Sequence, residues 1–398
     1  MNVFKSDTEG SLLPALLVIK VYTGFLLTNS YYSIGIFGKL QIFFIWIIYF
    51  LLYYRKINSS PRLFLSFMVV LLYFGMVYLM DMDYTNKAIL YDISLVYIFL
   101  SLSTECQIKT FRYFIGFGSI LLVFSIIDYV FFITGHGIIL GEFDRGENEY
   151  TELPVYQGLF NYYIITERSY FRFQSLFREP GYLGQCAGLI FLYWGKIPLK
   201  QSIIWLIAGI MTVSMFFYVF LLLSFLVLFI SNIGKSNKIK IMLRNLMLIL
   251  CILSAAIMVV PEEVVDVLGH RVELMKDEKT DNRSTESFNI ELSKMAENGE
   301  ILLGRGTSTF YQKGYGWGNT GIKGDLYKFG VFGVTLVIIA FAIMVTSYSV
   351  SFKTKAFAVL FFSLLYYNGD IKYALFIYIP LINYLNYNKQ IKVPNKEL

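Results

Sequence analysis

The stretch 171–185, FRFQSLFREPGYLGQ, places charged residues where a hydrophobic segment should begin. Arg172 and Arg178 carry planar guanidinium groups, which donate parallel hydrogen bonds to two oxygens and therefore suit a pyrophosphate. Glu179 offers a carboxylate that could act as a general base or orient an acceptor hydroxyl group. Pro180 suits the first turn of a helix, so we expect a helix to start there with Glu179 at its entrance.

A second group of candidates lies in the polar stretch 261–325. Arginines from both stretches could hold the diphosphate of a lipid-linked sugar and stabilise its charge when it departs as a leaving group. His270 is a candidate base, and the glycine- and aromatic-rich run 301–325 is typical of a loop that approaches a ligand closely. The candidate binding residues here are His270, Arg271, Arg283, Arg305, Tyr315 and Trp317.

Each charged candidate also has a structural alternative. Arg172 and Arg178 could extend to phospholipid headgroups, and Arg283 could pair with a neighbouring carboxylate. Glu179 could simply be favoured by the dipole at a helix start. The residue types alone leave these alternatives open.

No metal or cofactor is expected, because arginines can stabilise the leaving group without a cation. The three cysteines are isolated and indicate neither a disulfide framework nor a metal site. An acidic run at 142–152 is interpreted as a solvated loop surface. These residues are Cys106, Cys186 and Cys251, and Glu142, Asp144, Glu147, Glu149 and Glu152.

Composition indicates a polytopic membrane protein. Of the 398 residues, 56% are hydrophobic and only 16% are charged, against roughly 25% charged in soluble domains. The mean hydropathy is +0.58. Apolar stretches recur throughout, so we expect one integral membrane domain over 1–398. The first ten residues lack the features of a signal peptide, so the first apolar segment should be retained.

About twelve segments are long and apolar enough to be candidate membrane spans. The fifth, ninth and tenth are the clearest, and we divide 201–232 into two spans near 212–214. Lys20 and Asp128 lie inside apolar segments and have no assigned role. The candidates are 11–29, 36–54, 62–80, 88–104, 113–134, 182–196, 201–214, 216–232, 243–260, 326–348, 355–368 and 371–387.

The distribution of basic residues sets the orientation. With both termini inside, every short inner loop is basic, as the positive-inside rule requires. Two long segments, about 135–181 and 261–325, then lie outside. The inner basic residues are Arg55, Lys56, Arg62, Lys109, Arg112, Lys196, Lys200, Lys235, Lys238, Lys240, Arg244, Lys353, Lys355, Lys389, Lys392 and Lys396.

The second outer segment contains a predicted amphipathic helix. Ser284 suits the N-cap, Glu286 suits the first turn, and Asn298 with Gly299 can end the helix. We expect this helix to lie on the outer membrane face. Its apolar face would contain Phe288, Leu292, Met295 and Ala296.

Together, these motifs resemble the O-antigen polymerase family (Wzy), within the group that also holds the O-antigen ligases. The first loop matches the pattern R-x-x-x-x-F-x-E/D-P from Arg172 to Pro180. The second has Arg283 before an amphipathic helix, then Gly304-Arg305-Gly306, then the glycine-led run FGVFG at 329–333. The resemblance in architecture covers the whole chain, whereas the resemblance in residues is confined to these two loops.

The resemblance implies an all-α membrane glycosyltransferase of the GT-C kind, acting in lipopolysaccharide biosynthesis. The growing chain on undecaprenyl pyrophosphate would pass to a new lipid-linked repeat unit, with inversion, on the periplasmic face of the bacterial inner membrane. Arg172 and Arg283, with Arg305 and Arg178, would bind the pyrophosphates, and Glu179 would be the base or position the acceptor. Tyr315 and Trp317 could stack on sugars or anchor the chain at the interface.

The expected partners are the lipid-linked oligosaccharide, membrane lipid and a chain-length regulator protein; no nucleic acid is expected. Two features depart from the family pattern: Arg178 is additional, and His270 precedes the helix, whereas in the ligases a histidine follows it. This favours a polymerase over an O-antigen ligase. A lipid-linked oligosaccharide flippase is the alternative of another class, but it needs charges within the spans rather than in outer loops.

Overall fold

The protein is described by a computed structural model, in which the chain is mostly helical. The described residues are 3–25, 36–53, 60–80, 87–143, 155–164, 173–177, 179–232, 286–313 and 322–347, with scattered positions between 352 and 379. The ninth predicted span, 243–260, lies outside the described residues, as do most positions of the last two.

Most described helices coincide with predicted apolar segments, but the first begins at Val3 rather than 11 and the fifth at Thr104 rather than 113. Lys109 and Arg112, predicted in an inner loop, therefore lie in the fifth helix. In chain order they are α1 (Val3–Phe25), α2 (Ile36–Ile48), α3 (Pro61–Met80), α4 (Lys87–Ser101), α5 (Thr104–Ile133), α6 (Pro180–Ile190), α7 (Leu199–Met211), α8 (Met215–Asn232), α9 (Glu286–Glu297), α10 (Thr307–Gln312) and α11 (Ile322–Thr346). A π-helical turn, Tyr49–Tyr53, extends α2, and 3-10 turns occupy Phe191–Tyr193 and Glu300–Leu302. Three short strands, β1 (Gly141–Phe143), β2 (Val155–Gln157) and β3 (Tyr162–Ile164), lie between α5 and α6.

Two helices among the described residues are long and apolar enough to cross a membrane, namely α5 and α11. They coincide with the fifth and tenth predicted spans, which have the clearest apolar runs. At 1.5 Å per residue, α5 measures about 45 Å, against a hydrocarbon core of about 30 Å. The 25 residues of α11 do not form one continuous helix, because the backbone at Gly330 is not helical. Shorter apolar helices account for much of the remaining described chain.

The division of 201–232 into two helices is confirmed. α7 ends at Met211 and α8 begins at Met215, with Val213 at a φ of 47° between them. A β-branched residue rarely adopts this left-handed conformation. The hydroxyl group of Thr212 donates to the carbonyl of Gly209 at 2.7 Å and accepts from the amide of Ser214 at 3.2 Å, which stabilises the break.

The chain divides into two compact units. The first contains Met1–Gly118, Arg145–Glu152 and Arg283–Leu398, and the second contains Ser119–Asp144 and Leu153–Asn282. In the first unit, α11 packs along α3. The hydroxyl group of Ser66 on α3 donates to the carbonyl of Ala340 on α11 at 2.6 Å, so a polar contact joins the two apolar helices.

The core of the second unit is α6, which packs against α7 and α8. Glycines permit the close approach: a Cβ atom on Gly188 would lie 2.5 Å from the Cβ of Phe220, and one on Gly184 would lie 3.0 Å from the Cβ of Ser214. The small strands of this unit form one antiparallel sheet in the order β1-β2-β3. The first outer segment is therefore partly folded into a sheet.

Candidate functional site

The predicted helix start at Pro180 is confirmed, and Glu179 occupies the N-cap position of α6. Its backbone is extended, with φ −143° and ψ 144°, and its side chain makes no capping hydrogen bond. Glu179 is partly exposed. The carboxylate therefore does not cap the amides of its own helix. The alternative that Glu179 is favoured by the dipole of α6 does not require such a hydrogen bond and stays an alternative.

A buried carboxylate on α5 anchors the loop that leads to Glu179. The Oδ2 atom of Asp128 accepts hydrogen bonds from the amide of Phe160 at 2.8 Å and from the side chain of Asn161 at 3.2 Å. Asn161 also donates to the carbonyl of Ser125 at 2.6 Å. Burial raises the pKa of the adjacent Tyr163 phenol, and the charge of Asp128 raises it further. Asp128 thus has the role of docking the loop onto α5.

The same anchor reaches the stretch FRFQSLFREPGYLGQ itself. Ser125 donates to the carbonyl of Phe160 at 2.8 Å, so its hydroxyl oxygen accepts the hydrogen bond that the Ser175 hydroxyl group donates at 2.6 Å. Ser175 has a φ of 54°, an uncommon conformation for a residue other than glycine, asparagine or aspartate. The amide of Tyr162 donates to the carbonyl of Ser175 at 3.1 Å, and that of Phe173 to the carbonyl of Met211 at 3.1 Å. Residues 173–177 are therefore held in one specific conformation on the second unit.

Replacing Asp128 by alanine should lower the free energy of unfolding by about 2 kcal/mol or more, because the Phe160 amide and the Asn161 side chain would lose a buried acceptor. Thermal unfolding of the purified chain in detergent would measure the loss. Asp128→Asn keeps one acceptor oxygen and should lose less. Equal melting temperatures for Asp128→Ala and the wild type would contradict the docking role.

In the first unit, the predicted G-x-G turn and the predicted glycine-led helix are in direct contact. α11 is interrupted at Gly330, where φ is 65° and ψ is 179°. The carbonyls of Tyr327 and Lys328, in the turn before this break, accept hydrogen bonds from the amides of Arg305 at 2.8 Å and Gly306 at 3.0 Å. A Cβ on Gly304 would lie 2.6 Å from the amide nitrogen of Gly330. The glycines of both motifs, Gly304 and Gly330, allow the two backbone segments to approach this closely.

The side chain of Arg305 forms two ion pairs within the protein. Its Nη1 donates to Glu291 on α9, and its Nε donates to Glu300 at 2.5 Å. The hydrogen bond to Glu300 raises the pKa of the guanidinium group, as does the one to Glu291. Arg305 lies between two carboxylates and joins α9 to the loop at 304–306. Its predicted role in binding pyrophosphate stays a prediction.

The predicted amphipathic helix is present as α9, and Gly299, at a φ of 75°, follows its end. Its apolar face packs on protein, because Phe288 and Met295 are buried against Phe310 and Tyr327, with Leu292 at the edge. The expectation that this face rests on the membrane is therefore wrong for these side chains. Ala296, expected on the same face, is exposed.

The carboxylate of Glu291 should make the α9 segment sensitive to acid. The hydrogen bond from Lys313, at 2.6 Å, lowers the pKa of Glu291, and the contact with Arg305 lowers it further. Because the pKa is lower in the folded protein, the stabilisation is complete above the unfolded value of about 4.3 and is lost as pH falls through the folded value.

We therefore expect hydrogen–deuterium exchange of peptides from 286–313, corrected for the intrinsic rate, to increase below about pH 4.3. Glu291→Gln should show faster exchange at neutral pH and no further increase on acidification. Glu297→Gln, at an exposed position of the same helix, is the matched control and should behave as the wild type. Acid-insensitive exchange in the wild type would contradict the assignment.

The remaining predicted site residues lie outside the described residues. They are Arg172, Arg178, His270, Arg271, Arg283, Tyr315 and Trp317. Glu179 and Arg305, which are described, belong to different units. The expected convergence of the two outer loops on one cavity therefore stays a prediction.

Asp128 and two glutamines carry a signal that sequence reasoning left unused. The carboxylate of Asp128 and the carboxamides of Gln174 and Gln185 are buried in or beside apolar segments. Polar side chains in such places are costly unless they have a structural or ligand-binding role. From the sequence, this signal was available for Asp128 and Gln185, which lie inside predicted apolar segments, whereas the burial of Gln174 is seen only in the structure.

Within the described residues, no group of three or more His, Cys, Asp or Glu side chains could hold a metal ion. No protein-family model matches the chain, and no curated protein or solved structure gives a significant match. The resemblance to the O-antigen polymerases therefore rests on the two loop motifs and the pattern of apolar segments.

Proposed function

We propose that this chain is a polymerase of lipid-linked oligosaccharide repeat units in the bacterial inner membrane. The observation that carries the proposal is the helix start at Pro180, where a docked loop presents Glu179 without a capping hydrogen bond. A carboxylate held in this way is available to a substrate hydroxyl group. The proposed architecture is about twelve spans of the GT-C kind, with both termini cytoplasmic and the site periplasmic.

In the proposed reaction, a hydroxyl group of the acceptor repeat unit attacks the anomeric carbon of the growing chain. The new glycosidic C–O bond forms as the bond from that carbon to the pyrophosphate oxygen breaks, with inversion. Glu179 takes the hydroxyl proton, and undecaprenyl pyrophosphate leaves with the bonding electron pair. Positioned donors can stabilise this developing charge, a role that we assign to Arg172 and Arg283, assisted by Arg178.

The two ion pairs of Arg305 support a positioning role in this proposal. Arg283 precedes α9 in the chain, and α9 is tied to the broken helix α11 by Arg305 and by the bond from Lys323 to Asn289, at 3.1 Å. We propose that these contacts fix the position of the first turn of α9 and thereby position Arg283, which comes shortly before it in the chain. Arg305 would then affect the reaction through the position of Arg283 rather than through contact with the substrate.

The polymer formed in cells tests the proposed function. Cells lacking their own polymerase would express the wild type, Arg172→Ala, Glu179→Ala or Arg283→Ala, each checked for membrane insertion, and polymer length would be read on a gel. A wild-type ladder that collapses to single repeats in the variants supports the proposal. Loss of even the single capped repeat would favour an O-antigen ligase or a flippase. An unchanged ladder in all three variants would refute the site.

A further inference from the structure

Exposed apolar side chains lie on both sides of the contact between the loop after α9 and the break in α11. Leu302 and Leu303, at the end of the 3-10 turn, are 60% and 57% exposed. Val331 and Phe332, which follow the break at Gly330, are 42% and 50% exposed. We call these four residues the apolar patch at Gly330.

The two halves of this patch start from touching backbone segments. A Cβ atom on Gly330 would lie 2.4 Å from the carbonyl oxygen of Leu302 and 2.5 Å from the carbonyl carbon of Leu303. Scattered apolar side chains are normal on a protein surface, but a group of them in one place indicates a contact with a membrane or another molecule. The question is therefore which partner covers the patch.

The break is also the boundary between charged and uncharged sequence in α11. Lys323, Asp325 and Lys328 precede Gly330, whereas no residue from 329 to 352 is charged. Charged side chains are costly inside the hydrocarbon core, and apolar ones are favoured there. For a helix that crosses a membrane, such a boundary marks the edge of the core.

The other end of α11 is marked by basic residues. Arg62 and Lys355 donate to the carbonyl of Thr346, at 2.8 Å and 3.5 Å, and both were predicted to lie in inner loops. From Gly330 to Thr346 a helix rises about 24 Å, which is close to the hydrocarbon thickness of about 30 Å. On the predicted topology, the break at Gly330 therefore marks the outer edge of the membrane.

The patch continues along one face of α11. Thr335 and Ile339 follow Val331 at intervals of four residues, which places them on the same side of the helix. Thr335 is exposed, and Ile339 is 43% exposed. On a membrane-crossing helix, an exposed apolar stripe faces lipid. The same lipid would cover the patch at Gly330, because the stripe and the patch are continuous.

The charges that flank the two leucines suit the membrane surface. Glu300 and Arg305 lie on either side of them in the chain, and the Nε atom of Arg305 donates to Glu300 at 2.5 Å. Paired charges can remain at the level of the headgroups while neighbouring apolar side chains reach the acyl chains. This turn is therefore amphipathic over a few residues.

We propose that Leu302 and Leu303 insert into the acyl chains at the outer edge of the membrane, beside Gly330, and anchor the second outer segment there. The partner is lipid rather than protein. The anchor replaces the one expected from the sequence, because the apolar face of α9 packs on Phe310 and Tyr327. This inference goes beyond the proposed function and does not depend on it.

Spin labels test the anchor in the full chain, with its three cysteines replaced by alanine, in vesicles of phosphatidylethanolamine and phosphatidylglycerol. Leu303→Cys carries the label, and Ile290→Cys is the matched control. Ile290 is 50% exposed, but the exposed residues four positions away, Glu286 and Lys294, are charged. Ile339→Cys is the reference for lipid contact.

The measurement compares collisions of each label with oxygen, which concentrates among acyl chains, and with a water-soluble nickel chelate. The ratio of oxygen to nickel collisions should be several-fold higher at position 303 than at 290 and close to that at 339. A ratio at 303 equal to that at 290 would show a water-exposed turn. Few collisions with either reagent would show that protein, from this chain or a second copy, covers it. Either result would overturn the proposal.

A second measurement needs no label. Leu302→Asp combined with Leu303→Asp should release the anchor in the same vesicles, so hydrogen–deuterium exchange of peptides from 286–313 should become several-fold faster. Ile290→Asp, which changes an equally apolar side chain of the same segment, should leave the exchange near the wild-type rate. Equal exchange in the double variant and the wild type would refute the anchor. Neither measurement uses polymerisation, so a chain that makes no polymer would refute the polymerase and leave the anchor to these results.

Discussion

Glu179→Gln should reduce the polymer to single repeats, with a loss in elongation rate of about a hundredfold or more, as expected when a general base is removed. The variant keeps the size and the hydrogen-bonding shape of the side chain. Because the Glu179 side chain makes no capping hydrogen bond to α6, the melting temperature and the amount of inserted protein should not change. Gel analysis of polymer length and thermal unfolding of the purified chain would measure the two effects separately.

Glu142→Gln provides the matched control for this experiment. Glu142 belongs to the same outer segment, in β1, and its side chain is exposed, so its loss should leave the ladder unchanged. Glu179→Asp, which keeps the carboxylate but shortens it, should retain part of the activity. A full-length ladder with Glu179→Gln would exclude Glu179 as the base and leave His270 as the remaining candidate.

Gly304→Ala should have the largest effect on stability. Gly304 has a φ of 81°, and a Cβ there would lie 2.6 Å from the amide nitrogen of Gly330 and 2.7 Å from the carbonyl oxygen of Lys328. A left-handed conformation alone costs a non-glycine residue about 1–3 kcal/mol. The overlap with backbone atoms adds to this strain, because neither segment can move without breaking the hydrogen bonds of Arg305 and Gly306 to α11. We expect the variant to lose the native contact between the 304–306 loop and α11.

Gly299→Ala separates strain from overlap. Its φ of 75° is nearly the same, but no atom lies within 4 Å of the position of its added Cβ. Gly299→Ala should therefore show only the cost of a left-handed backbone conformation. It should lower the melting temperature much less than Gly304→Ala. Limited proteolysis of the 286–330 region and thermal unfolding would measure both variants. Equal losses would show that the close approach of the loop to Gly330 has no energetic importance.

Several elements were predictable because their signals act between near neighbours in the chain. Proline at the first helical position indicated the start of α6, and glycine after Asn298 indicated the end of α9. The break at 212–214 was likewise predictable, since its polar residues interrupt a long apolar run. Backbone sterics and hydrogen bonds within one or two turns determine such boundaries, so local sequence is sufficient.

Side-chain partners were not predictable in the same way. The apolar face of α9 was expected to meet the membrane, but spacing alone indicates only that a face is apolar and not what covers it. Phe288 and Met295 are covered by Phe310 and Tyr327, which come from elsewhere in the chain. Arg305 was expected to be available for a pyrophosphate, whereas Glu291 and Glu300 already accept hydrogen bonds from it.

By itself, the sequence determined that the chain is helical and rich in apolar segments, where most described helices begin and end, and that Glu179 stands at a helix entrance. These properties follow from composition and from short-range backbone preferences. Only the tertiary structure decided that Asp128 docks a loop, that Gly304 meets Gly330, and that Gln174 and Gln185 are buried. Each of these facts depends on which distant segments are brought together. Pairing between residues as far apart as Gly304 and Gly330, or Asp128 and Asn161, leaves no periodic signal in one sequence.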